Sequence, residues 1–421
     1  MPSSRLLITG CRQLLTLGGS VPRRAKAMRD PGLVRDGAVL LRDGAIIAVG
    51  SYRRVSRLAE ARGAKKLDLG GRVVLPGFID SHTHLIFPAS RSAEFEQRIA
   101  GASYEKIARQ GGGILSTVRA LRRANPAALK ARALAALRQF AVHGTTTLEA
   151  KSGYGLDARS ELAILRLLRE LHQQQPIDIY STFLGAHVVP PEFRGRADAY
   201  VDFLAAELIP RVALSGLAEF CDVFCDRGAF TVAQARRVLT AGRACGLVPR
   251  LHAEQLARTG GTRLAVDLHA ASADHLEKIN SADIRALAAS NVVATLLPGC
   301  CFHLGPGNYA PARKLLDAGA VVALATDYNP GTSPTVSMPM ILSLACSQMR
   351  LSPAEAIAAA TINPAFSLRR HTRIGSLEVG KYADLAIFDV ADYREIPYYF
   401  GVNHCVMTIK RGEVIYSREG T

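Results

Sequence analysis

The central part of the sequence alternates short apolar segments with longer segments rich in Ala, Leu and Arg. Eight of the apolar segments are predicted strands: Val73–Ile79, Thr145–Ala150, Ile177–Gly185, Ala218–Cys225, Leu247–His252, Ala270–His275, Val292–Leu297 and Val321–Ala325. Helical patterns lie between and after them: Ser160–Gln174, Val232–Ala244, Asp283–Ala289, Ala310–Ala318 and Pro353–Ala360. Such alternation favours a parallel sheet, because each helix returns the chain to the same end of the sheet. Eight such units predict a closed (β/α)8 TIM barrel.

The two ends of the sequence have a different texture, with short apolar runs separated by Gly and Asp. Residues 39–50 form a predicted hairpin around the turn residues Asp43 and Gly44, and short strands are also predicted within 383–389 and 406–416. Neither end can bury a core alone, so we expect one small β-sandwich domain built from residues 1–70 and 376–421. The barrel domain is then expected at residues 71–375.

Composition limits the classes of protein to consider. The 421 residues suffice for a barrel with an appended domain, and no apolar run reaches the ~18 residues of a membrane span. None of the eight cysteines forms a C-x-x-C pair, which favours reduced thiols in an intracellular protein. The net charge of +16 is compatible with nucleic-acid binding, but the arginines are scattered with little aromatic interleaving. A solvated, Arg-rich surface is the favoured interpretation.

In a (β/α)8 barrel the catalytic groups lie at the C-terminal ends of the strands. Polar residues follow most of the predicted strands: His82, His84, Glu149, Lys151, His187, Asp222, Asp226, His252, Gln255, Asp274, His275 and Asp327. His82 and His84 are two positions apart at the end of the first strand, and such residues point to the same face. Neutral imidazole is the commonest metal ligand, so this pair is half of a predicted metal site. The alternative, a pair of surface or capping histidines, is disfavoured by the further candidate ligands on later strands.

The predicted metal set is His82, His84, His252 and Asp327. Three imidazoles and one carboxylate suit one Zn²⁺ per subunit, with Fe as the alternative. Such a metal makes hydroxide available near neutral pH. We expect Asp327 to accept the proton of the water and pass it to the leaving nitrogen. We expect His275 to orient the water or to polarise the scissile carbonyl.

Longer motifs carry a resemblance to a known family. The segment from Pro76 to His84 resembles the first-strand signature of the amidohydrolase superfamily. Further segments resemble the imidazolonepropionase family within it: Glu94-Phe95-Glu96, Gly101-Ala102-Ser103-Tyr104, Gln110-Gly111-Gly112-Gly113-Ile114, Glu149-Ala150-Lys151-Ser152-Gly153-Tyr154-Gly155-Leu156, Gly185-Ala186-His187 and Ala325-Thr326-Asp327-Tyr328-Asn329-Pro330-Gly331. The likeness runs from about residue 36 to the C-terminus. It implies hydrolysis of 4-imidazolone-5-propanoate to N-formimino-L-glutamate in histidine degradation.

The resemblance also implies which residues contact the substrate. These are Arg91, Tyr154, His187, Gln255, Asn329, Gly331 and Thr332. Arg91 is expected to clamp the propionate with a bidentate pair. Gln255 belongs to the catalytic set with Asp327 and His275, but its amide can only hydrogen-bond, so the general-base role passes to the other two. A cytoplasmic homodimer acting on a small anionic substrate, without nucleic acid or membrane, is expected.

Two other functions use the same residues. A zinc aminohydrolase that deaminates a purine-like heterocycle would need the same ligands, but Arg91 and Tyr154 favour a carboxylated substrate. An inactive barrel kept as a basic binding protein is disfavoured by the intact ligand set. Lys151 raises the possibility of a carbamylated lysine bridging two metals, but the resemblance is to enzymes with a single metal.

Overall fold

A computed structural model of the chain describes residues 4–102, 107, 111–305 and 307–419. The motif residues Ser103, Tyr104 and Gln110 lie outside these described residues. The strands, numbered β1 to β15 in chain order, are Arg5–Leu15, Leu33–Arg42, Ala45–Ser51, Lys65–Pro76, Phe78–Asp80, Thr145–Lys151, Asp178–Ala186, Phe220–Cys225, Val248–Ala253, Ser272–His275, Val293–Leu296, Val321–Leu324, Leu385–Phe388, Cys405–Lys410 and Glu413–Ser417. They form a seven-stranded sheet and a parallel eight-stranded sheet.

The seven-stranded sheet combines both ends of the chain in the order β15-β14-β13-β4-β1-β2-β3. Its middle strand β4 pairs in parallel with β1 and antiparallel with β13, which joins the N-terminal and C-terminal segments. The expected sandwich is one continuous hydrogen-bonded sheet, and residues from both ends share one buried core, including Ile8, Val39, Val74, Leu385 and Ile409. Neither end therefore buries its apolar face without the other.

The predicted first barrel strand, Val73–Ile79, is wrong in its bounds. Residues up to Pro76 belong to β4 of the terminal sheet, and only β5, Phe78–Asp80, belongs to the barrel. Gly77 separates them, and a Cβ there would be 2.4 Å from Cγ2 of Thr146. Both strands are buried, so the apolar run shows no break at this point. We propose that the barrel domain begins at Gly77 rather than at residue 71, while the boundary at residue 376 stays a prediction.

The other seven barrel strands lie within two residues of their predicted bounds. The α-helices of the described residues are Tyr52–Val55, Ser92–Ile99, Ile114–Arg123, Pro126–Val142, Ala158–Gln174, Ala197–Phe203, Ile209–Leu214, Val232–Ala244, Gly261–Asp267, Ser281–Ala288, Pro298–Leu304, Ala312–Asp317, Met338–Met349, Pro353–Ala359, Ile362–Ser367 and Glu395–Tyr398. Short 3-10 helices lie at Ala25–Arg29, Ala59–Ala61 and Pro191–Phe193, and a π-helical turn lies at Leu204–Leu208. Among these described helices, none is long and apolar enough to cross a membrane.

Local sequence signals explain where several helices begin. The helix Val232–Ala244 follows Thr231, whose side chain accepts a hydrogen bond from the backbone N of Gln234. The Gln234 side chain accepts one from the backbone N of Thr231 at 3.0 Å, which completes a capping box. Such caps satisfy backbone donors that the first helical turn leaves without partners.

The first and eighth barrel strands meet beyond their C-terminal ends. The backbone N of Asp327 donates to the carbonyl of His82 at 3.0 Å, and the backbone N of His84 donates to the carbonyl of Tyr328 at 2.8 Å. Two residues before His82, the carboxylate of Asp80 accepts hydrogen bonds from the backbone N and the hydroxyl of Thr326. The barrel is therefore closed by the segments that carry the candidate metal ligands.

Candidate active site

A cavity of about 390 Å³ opens at the C-terminal ends of the barrel strands. Residues predicted for metal binding or catalysis line it: His84, His252, Gln255, His275 and Asp327. Residues predicted for substrate binding also line it: Arg91, Tyr154, His187, Asn329 and Thr332. His82 lies fully buried behind the wall, and Gly331 packs against the guanidinium of Arg91. The structure thus brings the predicted site residues together at one end of the barrel.

Three histidines form a compact donor cluster at the base of this cavity. One ring nitrogen from each of His82, His84 and His252 lies within 4.8 Å of the others. Oδ1 of Asp327 lies 3.5 Å from Nε2 of His82 and 3.6 Å from Nε2 of His84. All four side chains are buried. Three imidazoles and one carboxylate converging in this way are a donor set that suits a single divalent metal.

Two buried carboxylates orient these imidazoles from behind. Nδ1 of His82 lies 2.7 Å from Oδ2 of Asp274, and Nδ1 of His252 lies 3.0 Å from Oδ2 of Asp222. Each contact turns Nε2 of the ring toward the cluster, and neither Nε2 has a hydrogen-bond partner among the described residues. Metal-bound histidines generally have this arrangement, with the second nitrogen held by a carboxylate. The orphaned nitrogens and their carboxylates therefore fit a metal ion.

The protonation preferences of the cluster follow from its burial. Burial, together with the neighbouring Lys151 and imidazoles, holds the pKa of His82 well below its ordinary value. Burial and the nearby His187 act in the same direction on the pKa of His84. Burial also raises the pKa of Asp327 to about 6. The imidazoles of His82 and His84 are accordingly neutral near pH 7, which is the form that binds a metal.

A layer of buried charge lies directly beneath the histidines. Nζ of Lys151 is 2.8 Å from Oε1 of Glu149, 2.8 Å from Oδ2 of Asp222 and 3.7 Å from Oδ2 of Asp274. Arg250 adds a second cation, with Nη2 3.9 Å from Asp274 and Nε 3.9 Å from Glu149. Burial disfavours the charged form of Lys151, but Asp222 and Glu149 outweigh it, so its pKa is raised. Lys151 is therefore an ion-paired ammonium group in this structure.

His187 lies on the wall of the cavity. Its ring stacks on that of His84 with a centroid distance of 5.2 Å, and its Nδ1 lies 3.0 Å from the carbonyl of Gly153. That contact directs Nε2 away from Gly153. Gly153 has a φ of +99°, and a Cβ there would be 2.9 Å from the carbonyl of Leu184, so only glycine fits this close turn. Tyr154 follows at once, with its ring 5.4 Å from His187.

The long insert between the first two barrel strands, residues 87–141, lines part of the cavity with Arg91, Arg98 and Ile114. Nε of Arg91 donates to Oε2 of Glu94 at 2.9 Å, and Nη2 donates to the same carboxylate. Oε1 of Glu94 also accepts from the backbone N of Gly113 at 3.1 Å. A Cβ on Gly331 would be 2.2 Å from Nη1 of Arg91, so the guanidinium fits because residue 331 has no side chain. Arg98 donates from Nη1 to the carbonyl of Gly331 at 3.1 Å and also lines the cavity.

The loop after β12 is shaped by the side chain of Asn329. Its Oδ1 accepts from the backbone N of Gly331 and of Thr332, both at 2.8 Å. Its Nδ2 donates to the carbonyl of Asp327 at 2.7 Å and to the hydroxyl of Thr332 at 2.9 Å. Asn329 therefore fixes the loop that follows Asp327, in addition to lining the cavity.

The carboxylate of Asp226 shapes the loop after β9. Oδ2 of Asp226 accepts from the backbone N of Gln255 at 2.7 Å and of Leu256 at 2.9 Å. Nε2 of Gln255 donates to Sγ of Cys300 at 3.4 Å. Gln255 thus reaches the cavity from a fixed backbone, with its amide against a thiol.

Two candidate catalytic residues have left-handed backbone conformations. His275 has a φ of +81° and Asp327 a φ of +55°, and non-glycine residues adopt such angles at an energetic cost. Both residues lie where a barrel strand ends, so the unusual backbone turns their side chains toward the cavity. Nδ1 of His275 is 3.5 Å from Oε1 of Glu277, and although burial opposes protonation, Glu277 raises the pKa of His275.

Sequence reasoning missed several residues of the site. It assigned no role to Asp222 and Asp274, although both lie on strands that pair with β9, the strand that carries His252. The register could have indicated Asp274, which pairs directly with His252. Arg98 and Glu94 lie in the insert, and no periodic pattern predicts which face of an insert turns toward the barrel.

Comparisons with known proteins agree with this geometry. The model of the Amidohydrolase family matches residues 73–415. The chain is 49% identical over 417 residues to the imidazolonepropionase of Geobacillus kaustophilus (strain HTA426), covering 97% of each chain. It is 47% identical over 419 residues to the imidazolonepropionase of Solibacter usitatus (strain Ellin6076), covering 99% of this chain and 100% of that one. The chain belongs to the imidazolonepropionase family of amidohydrolases.

Solved structures with this fold are more distant in sequence. An adenosine deaminase from Xanthomonas campestris with bound zinc is 18% identical, has a TM-score of 0.72 and covers 99% of this chain and 94% of its own. A triazine hydrolase from Arthrobacter aurescens is 18% identical, has a TM-score of 0.73 and covers 99% of this chain and 95% of its own. At this identity the likeness shows the shared fold, a TIM-like barrel with a sheet from both chain ends.

Proposed function

We propose that this chain is a metal-dependent hydrolase that opens the ring of 4-imidazolone-5-propanoate at its cyclic amide C–N bond. The product is N-formimino-L-glutamate, an intermediate of histidine degradation. The observation that carries the proposal is the cluster of His82, His84, His252 and Asp327 at the base of a cavity whose rim holds Arg91. Relatives named imidazolonepropionase, at 49% and 47% identity over nearly the whole chain, support the substrate.

The same four side chains would hold one Zn²⁺ or Fe ion per subunit. Such an ion supplies a lowered pKa for water and a Lewis acid for the ring carbonyl. The protein itself provides imidazoles held by Asp222 and Asp274, so the donor atoms are oriented before the ion arrives. Metal analysis of the purified protein distinguishes zinc from iron.

The proton transfers are assigned to Asp327 and His275. In this scheme Asp327 accepts a proton from the attacking water as its oxygen bonds to the ring carbonyl carbon. When the C–N bond breaks, Asp327 delivers that proton to the departing ring nitrogen. His275, held near Glu277, orients the water or donates a hydrogen bond to the carbonyl oxygen. Gln255 contributes hydrogen bonds to the ring rather than base catalysis.

The propionate of the substrate is assigned to the arginine side of the cavity. Because Glu94 takes the Nε and Nη2 donors on one edge of Arg91, a carboxylate ligand would pair with the Nη1 end. Arg98, on the same helix as Glu94, adds positive charge to this wall. Tyr154 and His187, which line the same cavity, are assigned to the ring of the substrate. The loop of Asn329, Gly331 and Thr332 holds substrate or product, since it lies between Arg91 and Asp327.

This arrangement disfavours the rival activity, deamination of a purine-like heterocycle. A neutral purine carries no negative charge to pair with two guanidinium groups, whereas a propionate does. The alternative of a basic binding protein without activity does not explain the oriented donor cluster. A homodimer and a cytoplasmic location belong to this proposal by family likeness alone.

The decisive experiment is turnover of freshly prepared 4-imidazolone-5-propanoate by the purified, metal-loaded protein. Loss of the ultraviolet absorbance of the ring, with stoichiometric N-formimino-L-glutamate, is the expected result. Parallel reactions with adenine and guanine should release no ammonia. Deamination of either purine without turnover of the imidazolone would refute the substrate assignment. Inertness toward all three by a fully metal-loaded protein would refute the enzyme itself.

A further inference from the structure

The proposed mechanism uses Asp222 and Asp274 from the buried charge layer beneath the histidines, but gives no role to the lysine at the centre of that layer. Its central residue is Lys151, at the C-terminal end of β6, whose side chain has 0% exposure. It touches neither the cavity nor the donor atoms of the histidines. A buried lysine is costly unless carboxylates surround it, and three carboxylates lie within 3.7 Å of this one.

Two of those carboxylates are the ones that orient metal ligands. Oδ2 of Asp222 lies 2.8 Å from Nζ of Lys151 and 3.0 Å from Nδ1 of His252. Oδ2 of Asp274 lies 3.7 Å from the same Nζ and 2.7 Å from Nδ1 of His82. In each case a single oxygen faces both the ammonium and an imidazole. One lysine therefore connects, through one carboxylate each, to two of the three histidines.

We propose that Lys151 is a positioning residue that holds Asp222 and Asp274 against His252 and His82, and so sets the metal affinity of the site. Without the ammonium, Oδ2 of Asp222 loses its closest cation, while Oδ1 keeps the hydrogen bond from the backbone N of His252 at 3.2 Å, so Oδ2 can turn away from Nδ1 of His252. The remaining cation, Arg250, lies 3.9 Å from Asp274 and is held by the carbonyl of Ser81. This inference rests on the proposed metal site, but on no assumption about the substrate.

The fold provides a matched control for the loss of a buried lysine. Nζ of Lys410 lies 2.7 Å from a carboxylate oxygen of Asp178 and 2.7 Å from one of Asp384, and its side chain is only 3% exposed. These carboxylates join the terminal sheet to the barrel and contact none of the candidate ligand histidines. Lys151→Met and Lys410→Met therefore remove the same charge from equally buried ion pairs, one behind the metal site and one remote from it.

The measurement is Co²⁺ binding to the metal-free protein by competition with a chelator, together with the visible spectrum of the bound Co²⁺. Lys151→Met should bind Co²⁺ about 10- to 100-fold more weakly than wild type and with an altered spectrum, since outer carboxylate contacts have effects of this size. Lys410→Met should keep the wild-type affinity and spectrum, whatever its thermal stability. Equal affinities for wild type and Lys151→Met, or an equal loss in both variants, would overturn the inference.

A second variant covers the case in which Lys151→Met fails to fold. Glu149 contacts Lys151, Thr182, Arg250 and, at 3.3 Å, the backbone N of Thr83, a hydrogen bond that an amide oxygen can also accept. Lys151→Met combined with Glu149→Gln therefore removes one charge of each sign and leaves that acceptor in place. This double variant keeps the net charge of the layer but still leaves Asp222 without its 2.8 Å partner. It should also bind Co²⁺ weakly, and wild-type binding by it would contradict the positioning role. Wild-type protein that binds no Co²⁺ would instead refute the proposed metal site, so the two failures are distinguishable.

Discussion

Substituting Gly331 by alanine tests whether the position of Arg91 matters for substrate binding. The backbone at residue 331 is not left-handed, so alanine is compatible with it. The added Cβ would nevertheless be 2.2 Å from Nη1 and 2.8 Å from Cζ of Arg91, well inside contact distance. Since Glu94 holds the other edge of the guanidinium, the Nη1 end must swing away from its present position. The methyl group thus displaces the donor assigned to the propionate.

The expected effect is the loss of one charge-assisted hydrogen bond. Such a bond contributes about 1.5–3 kcal/mol, which corresponds to a fall of about 10- to 150-fold in kcat/KM. The propionate is remote from the reacting carbonyl, so most of the change should be in KM rather than kcat. Steady-state kinetics on 4-imidazolone-5-propanoate measures both, and thermal unfolding of the variant checks that the loop has kept its fold.

A double-mutant cycle isolates the contact. Arg91→Ala should itself raise KM, and in that background Gly331→Ala should have little further effect, because the clashing group is gone. A methyl group that is equally harmful with and without Arg91 would refute the steric argument. Unchanged kinetics for Gly331→Ala would show that the Nη1 end of Arg91 does not bind the substrate.

Three further outcomes are expected. Asp327→Asn should lower kcat by at least ~10²-fold through loss of the proton acceptor; with metal content measured separately, full turnover would exclude the shuttle role. Removal of metal by a chelator should abolish activity and lower the unfolding temperature, and one equivalent of Zn²⁺ or Fe²⁺ should restore both; activity that survives metal removal contradicts the mechanism. Although burial opposes its ionisation, hydrogen bonds from Arg313 and from the backbone N of Ser352 lower the pKa of Glu355 from 4.5 to about 2. The ionised carboxylate of Glu355 therefore stabilises the fold above pH 4.5, and this effect is lost as the pH falls toward 2. The difference in unfolding free energy between wild type and Glu355→Gln should narrow from pH 7 to about pH 3. A difference that stays constant with pH would contradict the lowered pKa of Glu355.

Much of the fold was predictable because each barrel strand is bounded by signals of its own. Most of the seven barrel strands after the first, such as Thr145–Lys151 and Phe220–Cys225, are short runs with a polar residue at or just after their last residue, and that residue marks the C-terminal rim. Because catalytic groups lie at the C-terminal ends of barrel strands, the sequence alone predicts that His82, His84, His252 and Asp327 lie together. The bounds of the first strand were predicted wrongly because the end of β4 and the whole of β5 are both buried. Burial in two different sheets gives the same pattern in a sequence.

The remainder depended on contacts that sequence patterns do not encode. The pairing of Glu94 with Arg91 joins neighbours in sequence, yet nothing in the pattern says that the pair faces the cavity. Arg91 follows the first barrel strand and Gly331 follows the eighth, so the two residues are far apart in the sequence. Only the closure of the barrel brings them into contact. Asp222 and Asp274 are read as rim residues from the sequence, whereas the structure has them facing inward behind the histidines.

The closure of the barrel has a consequence for its dynamics. The amides of His84 and Asp327 join the first strand to the eighth, and the same two residues carry an imidazole and a carboxylate of the donor cluster. Separation of the two strands would pull the donors apart, so local opening of the barrel at this point would weaken the binding of an ion. Slow hydrogen exchange at these two amides would therefore report how rarely the barrel opens there.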